Sequence, residues 1–228
     1  MEYKTFVYYQ DEQIIVAYKP YGVLSEDDEK KPNMPALLKA ESGCDGVYPV
    51  HRLDRTTQGV MVYAKTKEAA KRLSDLIQRG GLEKTYLAVI EGVPEQSTGE
   101  YTDLLYFDRK KNKSYVVRRE RCGVKEARLC YEVLQTAGVD GEPLTLVKIR
   151  LLTGRTHQIR VQFASRKTPL VGDRRYGSHI ESEHIMLCSH ELRFAHPFTG
   201  EEMSFVYTPK NEYFGQYPSI KNPDFSQC

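Results

Sequence analysis

The chain has 228 residues, 40% hydrophobic and 28% charged, which excludes a disordered polyelectrolyte or a fibrous protein and leaves one folded domain with a substantial core. No stretch approaches the roughly 20 apolar residues that a membrane helix needs, and Met1 to Gln10 holds no apolar run of a signal peptide, so a soluble, cytoplasmic protein is expected. Lysine plus arginine number 33 against 31 aspartates plus glutamates, so nucleic-acid binding has to be judged from where the charge lies and not from its sum.

Ile14 to Lys19 is apolar and extended in character, and Pro20-Tyr21-Gly22 stops it with a fixed φ and a permissive glycine. The segment Ser25 to Pro35, which contains the uninterrupted acidic run Glu26 to Glu29, is too polar to pack deeply. It reads as a surface loop before a short helix carrying Leu37 and Leu38. Val60 to Ala64 reads as a buried strand. Thr66 is placed to cap a helix in which Ala69, Ala70, Leu73, Leu76 and Ile77 recur at spacings of three and four as far as Gly80.

Strand character returns over Lys84 to Glu91, and both Ala127, Leu129, Tyr131, Val133 and Val147, Ile149, Leu151 alternate as half-buried strands do. Many strands with few intervening helices predict an α+β fold with a mixed, mainly antiparallel sheet. The core should run from about 14 to 206 of a single domain over 1–228, with a loosely attached tail over 210–228.

The five cysteines, Cys44, Cys122, Cys130, Cys188 and Cys228, are scattered without a Cys-x-x-Cys pair and read as reduced thiols. His179, His184, Cys188 and His190 match no zinc spacing, so no metal is expected. No heptad or broad apolar stripe asks for a partner, and a monomer is expected.

Two segments concentrate reactive side chains at element junctions. His51-Arg52-Leu53-Asp54-Arg55-Thr56-Thr57-Gln58-Gly59 precedes the strand Val60 to Ala64, so Asp54 is held by a rigid element while its carboxylate can point into a cleft. Gly154-Arg155-Thr156-His157-Gln158-Ile159-Arg160 leads from a strand into a helix capped by Thr156, with Arg155 at its mouth. An aspartate beside such a cation stays ionised when shielded from water and can act as a nucleophile. The alternative is a structural ion pair. A third segment, Arg109 to Arg121, holds seven basic residues (Arg109, Lys110, Lys111, Lys113, Arg118, Arg119, Arg121) against Glu120 alone, and reads either as a solvated hairpin or as a surface for phosphates.

Taken together, these residues resemble the RluA family of pseudouridine synthases. The motifs that carry the resemblance are His51-Arg52-Leu53-Asp54 with Thr57 and Gly59, Glu83 to Ala88, Gly154 to Val161, and Val171 to Gly177, in the family's order. Lys19-Pro20-Tyr21-Gly22 and His196 to Gly200 also fit, so the likeness covers about Ile14 to Val206. It implies a mixed, mainly antiparallel sheet around an RNA cleft, with no cofactor and no metal.

By position, Asp54 corresponds to the family's catalytic aspartate, Tyr86 to the tyrosine that packs on the target base, and Arg155 to the cation paired with the aspartate. Arg52 corresponds to the arginine that helps displace the target nucleotide from its stack. Gln58, Gln162 and Cys188 stand where the family often has Ser, His and His. The RNA-binding module that many members carry ahead of the catalytic domain is not expected in the dozen residues before Ile14.

The resemblance implies isomerisation of uridine to pseudouridine in structured RNA, ribosomal or transfer, with the base flipped out of its helix. In that light Lys110, Lys111, Arg118 and Arg119 become RNA contacts. The competing expectation, a non-catalytic RNA-binding or assembly factor on the same fold, gives no reason for Asp54, Tyr86 and Arg155 together.

Overall fold

A computed structural model describes residues 3–139, 141–209 and 213–216. The chain divides into two compact units, Met1–Lys84 with Cys188–Tyr207, and Thr85–Leu187 with Thr208–Cys228.

In the first unit, strands β1 (Val7–Gln10), β2 (Ile14–Lys19), β4 (Gln58–Ala64) and β10 (Leu187–Ala195) lie side by side in that order, with β3 (Tyr48–Pro49) on β4 and β11 (Glu202–Val206) on β10. All pairs are antiparallel except β4 with β10, which makes the sheet mixed. Every residue of β4 is buried, which explains why its sequence is a continuous apolar run and not an alternation. Helix α2 (Lys67–Gln78) packs against β4, and its Leu73 and Ala69 join Ile14, Val16, Val60, Val62 and Leu192 in one core. Each fully buried valine or leucine there contributes roughly 1.5–3 kcal/mol.

The helix starts where the sequence places it: the Thr66 hydroxyl oxygen accepts from the Ala69 N–H at 3.0 Å. Helix α1 (Met34–Ser42) is capped in the same way by Asn33, whose side-chain oxygen accepts from Ala36 N–H at 2.9 Å. Gly59 permits the parallel contact. A β-carbon there would lie 2.2 Å from the Ser189 carbonyl oxygen, and its φ of +126° is closed to most side chains.

The second unit is an antiparallel sheet in the order β5 (Leu82–Glu91), β9 (Glu142–Leu151), β8 (Val124–Val139), β6 (Thr98–Asp108) and β7 (Lys113–Val117). Helix α3 (Gln158–Ala164) packs on β6 and β7, where Val161 meets Leu105, Ala127 and Tyr176. Beneath it Arg160 and Asp173 form a buried two-pronged ion pair, Nε to Oδ2 at 2.6 Å and Nη2 to Oδ1 at 2.9 Å. The tail expected over 210–228 lies outside the described residues apart from 213–216, where a 3-10 turn buries Phe214.

Candidate active site

Asp54 opens a tight turn, with Thr57 N–H donating to the Asp54 carbonyl at 2.9 Å, and β4 begins one residue later. The side preceding the turn is held by Ser25. Its buried hydroxyl accepts from Leu53 N–H at 3.0 Å and donates to the Leu53 carbonyl at 2.9 Å, so both polar groups of the residue between Arg52 and Asp54 are fixed by one side chain. Inside the turn, Lys19 donates its ammonium protons to the carbonyls of Thr57 at 2.7 Å and Pro20 at 3.0 Å, with a longer approach to that of Arg55 at 3.5 Å. Gly22 N–H donates to the Arg55 carbonyl at 2.8 Å. The main chain around a partly buried carboxylate is therefore tied down on both flanks, which is how a reactive group is kept in one geometry.

Lys19 is fully buried. Burial pushes its ammonium down to about 7, the Asp54 carboxylate works against that shift, and Arg55 adds to it. His51 is neutral for the same reason, pushed down to about 3 by burial, with the Lys84 charge acting in the same direction. Its Nε2 accepts from Val62 N–H at 3.1 Å, so the ring proton sits on Nδ1, and the imidazole completes the β4 ladder beyond its short pairing with β10. Arg52 is exposed, with Glu26 of the acidic run 3.8 Å from its guanidinium; a pair so hydrated adds little to stability.

In the second unit, Tyr86 lies on β5 opposite Ile149 and is 5% exposed. Arg155 is half-buried. Its N–H donates to Gln158 Oε1 at 3.0 Å and its Nε to the Glu126 carbonyl at 2.8 Å. Gln158 also accepts from the Thr153 hydroxyl at 2.8 Å and donates to the Arg128 carbonyl at 3.0 Å, which ties the loop to β8. The expected Thr156 cap is not formed. The residue before α3 is His157, in the left-handed region at φ 55°, with no side-chain cap, and the Gln158 N–H donates to the Arg155 carbonyl at 3.1 Å.

The basic run forms the β6–β7 turn, strand β7 and the loop after it. Asp108 closes the turn by accepting from Lys110 N–H at 2.9 Å and Lys111 N–H at 3.1 Å. Arg109, Lys110, Lys111, Arg118 and Arg119 are exposed. Lys113 and Arg121 are engaged within the protein, Lys113 donating to the Arg175 carbonyl at 2.7 Å and Arg121 lying over the Tyr106 ring at 4.6 Å.

The first unit thus holds Asp54 and Arg52, and the second holds Tyr86, Arg155, Lys110, Lys111, Arg118 and Arg119. Sequence reasoning missed Ser25, which lies in the segment read as a surface loop, and the buried role of Lys19. Of the residues at which the chain departs from the family's habit, Gln58 accepts from the Tyr18 hydroxyl at 2.8 Å and buried Gln162 donates to Asp103 at 2.8 Å.

The RNA pseudouridylate synthase family model matches residues 13–165. The chain is 31% identical over 218 residues to the tRNA pseudouridine synthase C of Vibrio parahaemolyticus, covering 86% of this chain and 87% of the relative. It is 30% identical over 206 residues to the dual-specificity RNA pseudouridine synthase RluA of Haemophilus influenzae, covering 87% and 90%. The fold matches that of the human RNA pseudouridylate synthase domain containing 1 with a TM-score of 0.76 at 23% identity, over 91% of this chain and 84% of that one. With its site motifs carried on a mixed, mainly antiparallel α+β fold, the chain belongs to the RluA family of pseudouridine synthases and is an RNA pseudouridine synthase, an isomerase acting on RNA.

Proposed function

We propose that the enzyme isomerises specific uridines in structured ribosomal or transfer RNA, with Asp54 as the catalytic carboxylate and the target base flipped out to meet it. The reaction breaks the bond from ribose C1′ to N1 of uracil, turns the detached base, joins C1′ to C5, passes the C5 proton to solvent and takes up a proton at the freed N1. Nothing else is gained or lost, so the protein has to supply a fixed ionised carboxylate, a surface for the loose base and exclusion of water.

The observation that carries the reading is the turn of Asp54: its main chain is bonded through Ser25 and Lys19 on either flank while the carboxylate itself is left partly accessible. Tyr86 offers a flat face for the base and a hydroxyl able to move a proton. Arg155 is the cation that favours the ionised carboxylate. Arg52, exposed and only loosely paired, is free to move into a stacked helix in place of the departing uridine. Flipping costs a few kcal/mol, which phosphate contacts from Lys110, Lys111, Arg118 and Arg119 offset.

A relative acting on tRNA and one of dual specificity support both RNA classes as substrates. Pseudouridines mapped across total RNA from cells with and without the protein test the reading. It requires one or more uridines of ribosomal or transfer RNA to lose the modification when the protein is removed; an unchanged map would overturn it.

A further inference from the structure

Strand β7 is the outer strand of its sheet, so one edge of its main chain has no β partner among the described residues. At Ser114 that edge is met by a tyrosine: Ser114 N–H donates to the Tyr176 hydroxyl at 2.8 Å. The same hydroxyl lies 2.9 Å from His157 Nδ1, two residues beyond Arg155. The Ser114 hydroxyl in turn donates to the carbonyl of Thr156 at 2.6 Å. One tyrosine oxygen and one serine oxygen therefore connect the strand that carries the basic hairpin to the two residues following Arg155.

The surroundings hold Tyr176 itself still. Its ring is buried against Leu105, Ala127 and Val161, with the Arg160 guanidinium 5.1 Å from the ring centre and that guanidinium locked on Asp173. Its neighbour Arg175 donates to the carbonyls of Lys111 at 3.0 Å and Asn112 at 2.8 Å, so the hairpin tip is tied to the same short turn. His157 holds a left-handed conformation that costs an ordinary residue energy and persists only where its surroundings fix it. A phenylalanine at 176 would supply the packing. The hydroxyl adds the contacts that reach the hairpin and the Arg155 loop.

We propose that Tyr176 is a positioning residue whose hydroxyl, with that of Ser114, couples the RNA-gripping hairpin to the loop carrying Arg155, so that RNA held by the hairpin sets the guanidinium for reaction. The inference rests on the pseudouridine synthase reading and on the hairpin's contact with RNA. It adds that grip and chemistry are joined through identified atoms.

The test uses Tyr176→Phe and Ser114→Ala in the full chain, with a mixture of unmodified rRNA and tRNA transcripts carrying tritium at uridine C5. Tyr176→Phe should keep RNA affinity and its salt dependence within about twofold, since the hairpin charges are intact, while single-turnover release of tritium at saturating enzyme falls by about tenfold or more. Ser114→Ala should act in the same direction, and the double variant should be little slower than the slower single one, because both break one linkage. Amide hydrogen exchange supplies a readout independent of turnover. In the parent, RNA should slow exchange at both the hairpin and 155–157; in Tyr176→Phe it should slow the hairpin alone, with β2 and β4 unchanged. An RNA-dependent slowing at 155–157 that survives in Tyr176→Phe, or a loss of rate that merely follows a loss of affinity, would overturn the coupling. A parent that binds these RNAs, shows the linked slowing and releases no tritium would contradict the proposed function and leave the linkage standing.

Discussion

The loop of Asp54 and the loop of Arg155 solve the same problem, holding a charged side chain at the end of a strand, by opposite means. Around Asp54 the work is done by side chains aimed at main-chain atoms: Ser25 takes both polar groups of Leu53, and Lys19 gathers carbonyls from the turn. Around Arg155 the support is a chain of side chains reaching from other elements, Gln158 to β8 and Ser114 and Tyr176 from the hairpin side. A loop fixed through its own carbonyls is rigid whether or not RNA is bound. On the coupling proposed above, a loop fixed through the hairpin responds to RNA binding. The contrast predicts that substitutions around Asp54 act on chemistry and on the stability of the turn but not on RNA grip, whereas those around Arg155 divide between chemistry, stability and grip.

The largest effect on that side is expected from Arg155→Ala, with turnover falling by about 10²-fold or more if the role proposed for this cation holds. Because Arg155 is half-buried and its Nε rests on a carbonyl, thermal stability should change little. Arg155→Lys should recover only part of the rate, since an ammonium lacks the planar fork that holds the Glu126 carbonyl on Nε with further donors to spare. Parent-like turnover by the lysine variant would show that charge alone is enough.

Next is Asp173→Asn, which leaves the Arg160 guanidinium buried without its partner charge and should cost about 3–5 kcal/mol in denaturant unfolding. A loss below about 1 kcal/mol, the level of a surface pair, would remove that ion pair as the anchor of α3.

Lys19 gives a pH signature from the other side of the comparison. Its folded value, about 7, lies below its ordinary 10.5, so between those limits the unfolded chain binds the extra proton and stability rises with pH. The penalty is complete below about pH 7 and relieved toward pH 10.5. Unfolding measured from pH 6 to 10 should show this rise in the parent and a flatter profile in Lys19→Met. Equal slopes in the two proteins would mean that Lys19 is not the group responsible.

The smallest single effects belong to the hairpin. Neutralising Lys110, Lys111, Arg118 and Arg119 together should weaken RNA binding and lower the log–log salt slope by roughly 0.7–0.9 for each phosphate that no longer meets a cation, while single-turnover rates at saturating enzyme survive. An unchanged slope would make the segment an ordinary charged surface.

How much of this was legible in the sequence follows from the range of the interactions. Strands β2 and β4 and helix α2 are written in local apolar runs and a local cap, and their bounds fall within two residues of the spacing's prediction. The motif residues Asp54, Tyr86 and Arg155 were legible as types in an order. What holds them was not. Ser25 is bonded to a residue 28 positions away, Lys19 to carbonyls up to 38 away, and Ser114 to a tyrosine 62 away, and periodicity carries no record of such pairings. Thr156 failed as a cap for a local reason: the Gln158 N–H two residues on is already bonded to the Arg155 carbonyl, and the helix begins only after His157.

The central claim is that the fixed turn presents Asp54 as the reacting carboxylate, and release of tritium from uridine C5 in RNA by Asp54→Asn tests it most directly. The amide keeps the shape and the main-chain bonds of the turn but has no ionised oxygen. The account predicts no release above background with RNA affinity within a few-fold of the parent; appreciable turnover by a homogeneous Asp54→Asn preparation would contradict it.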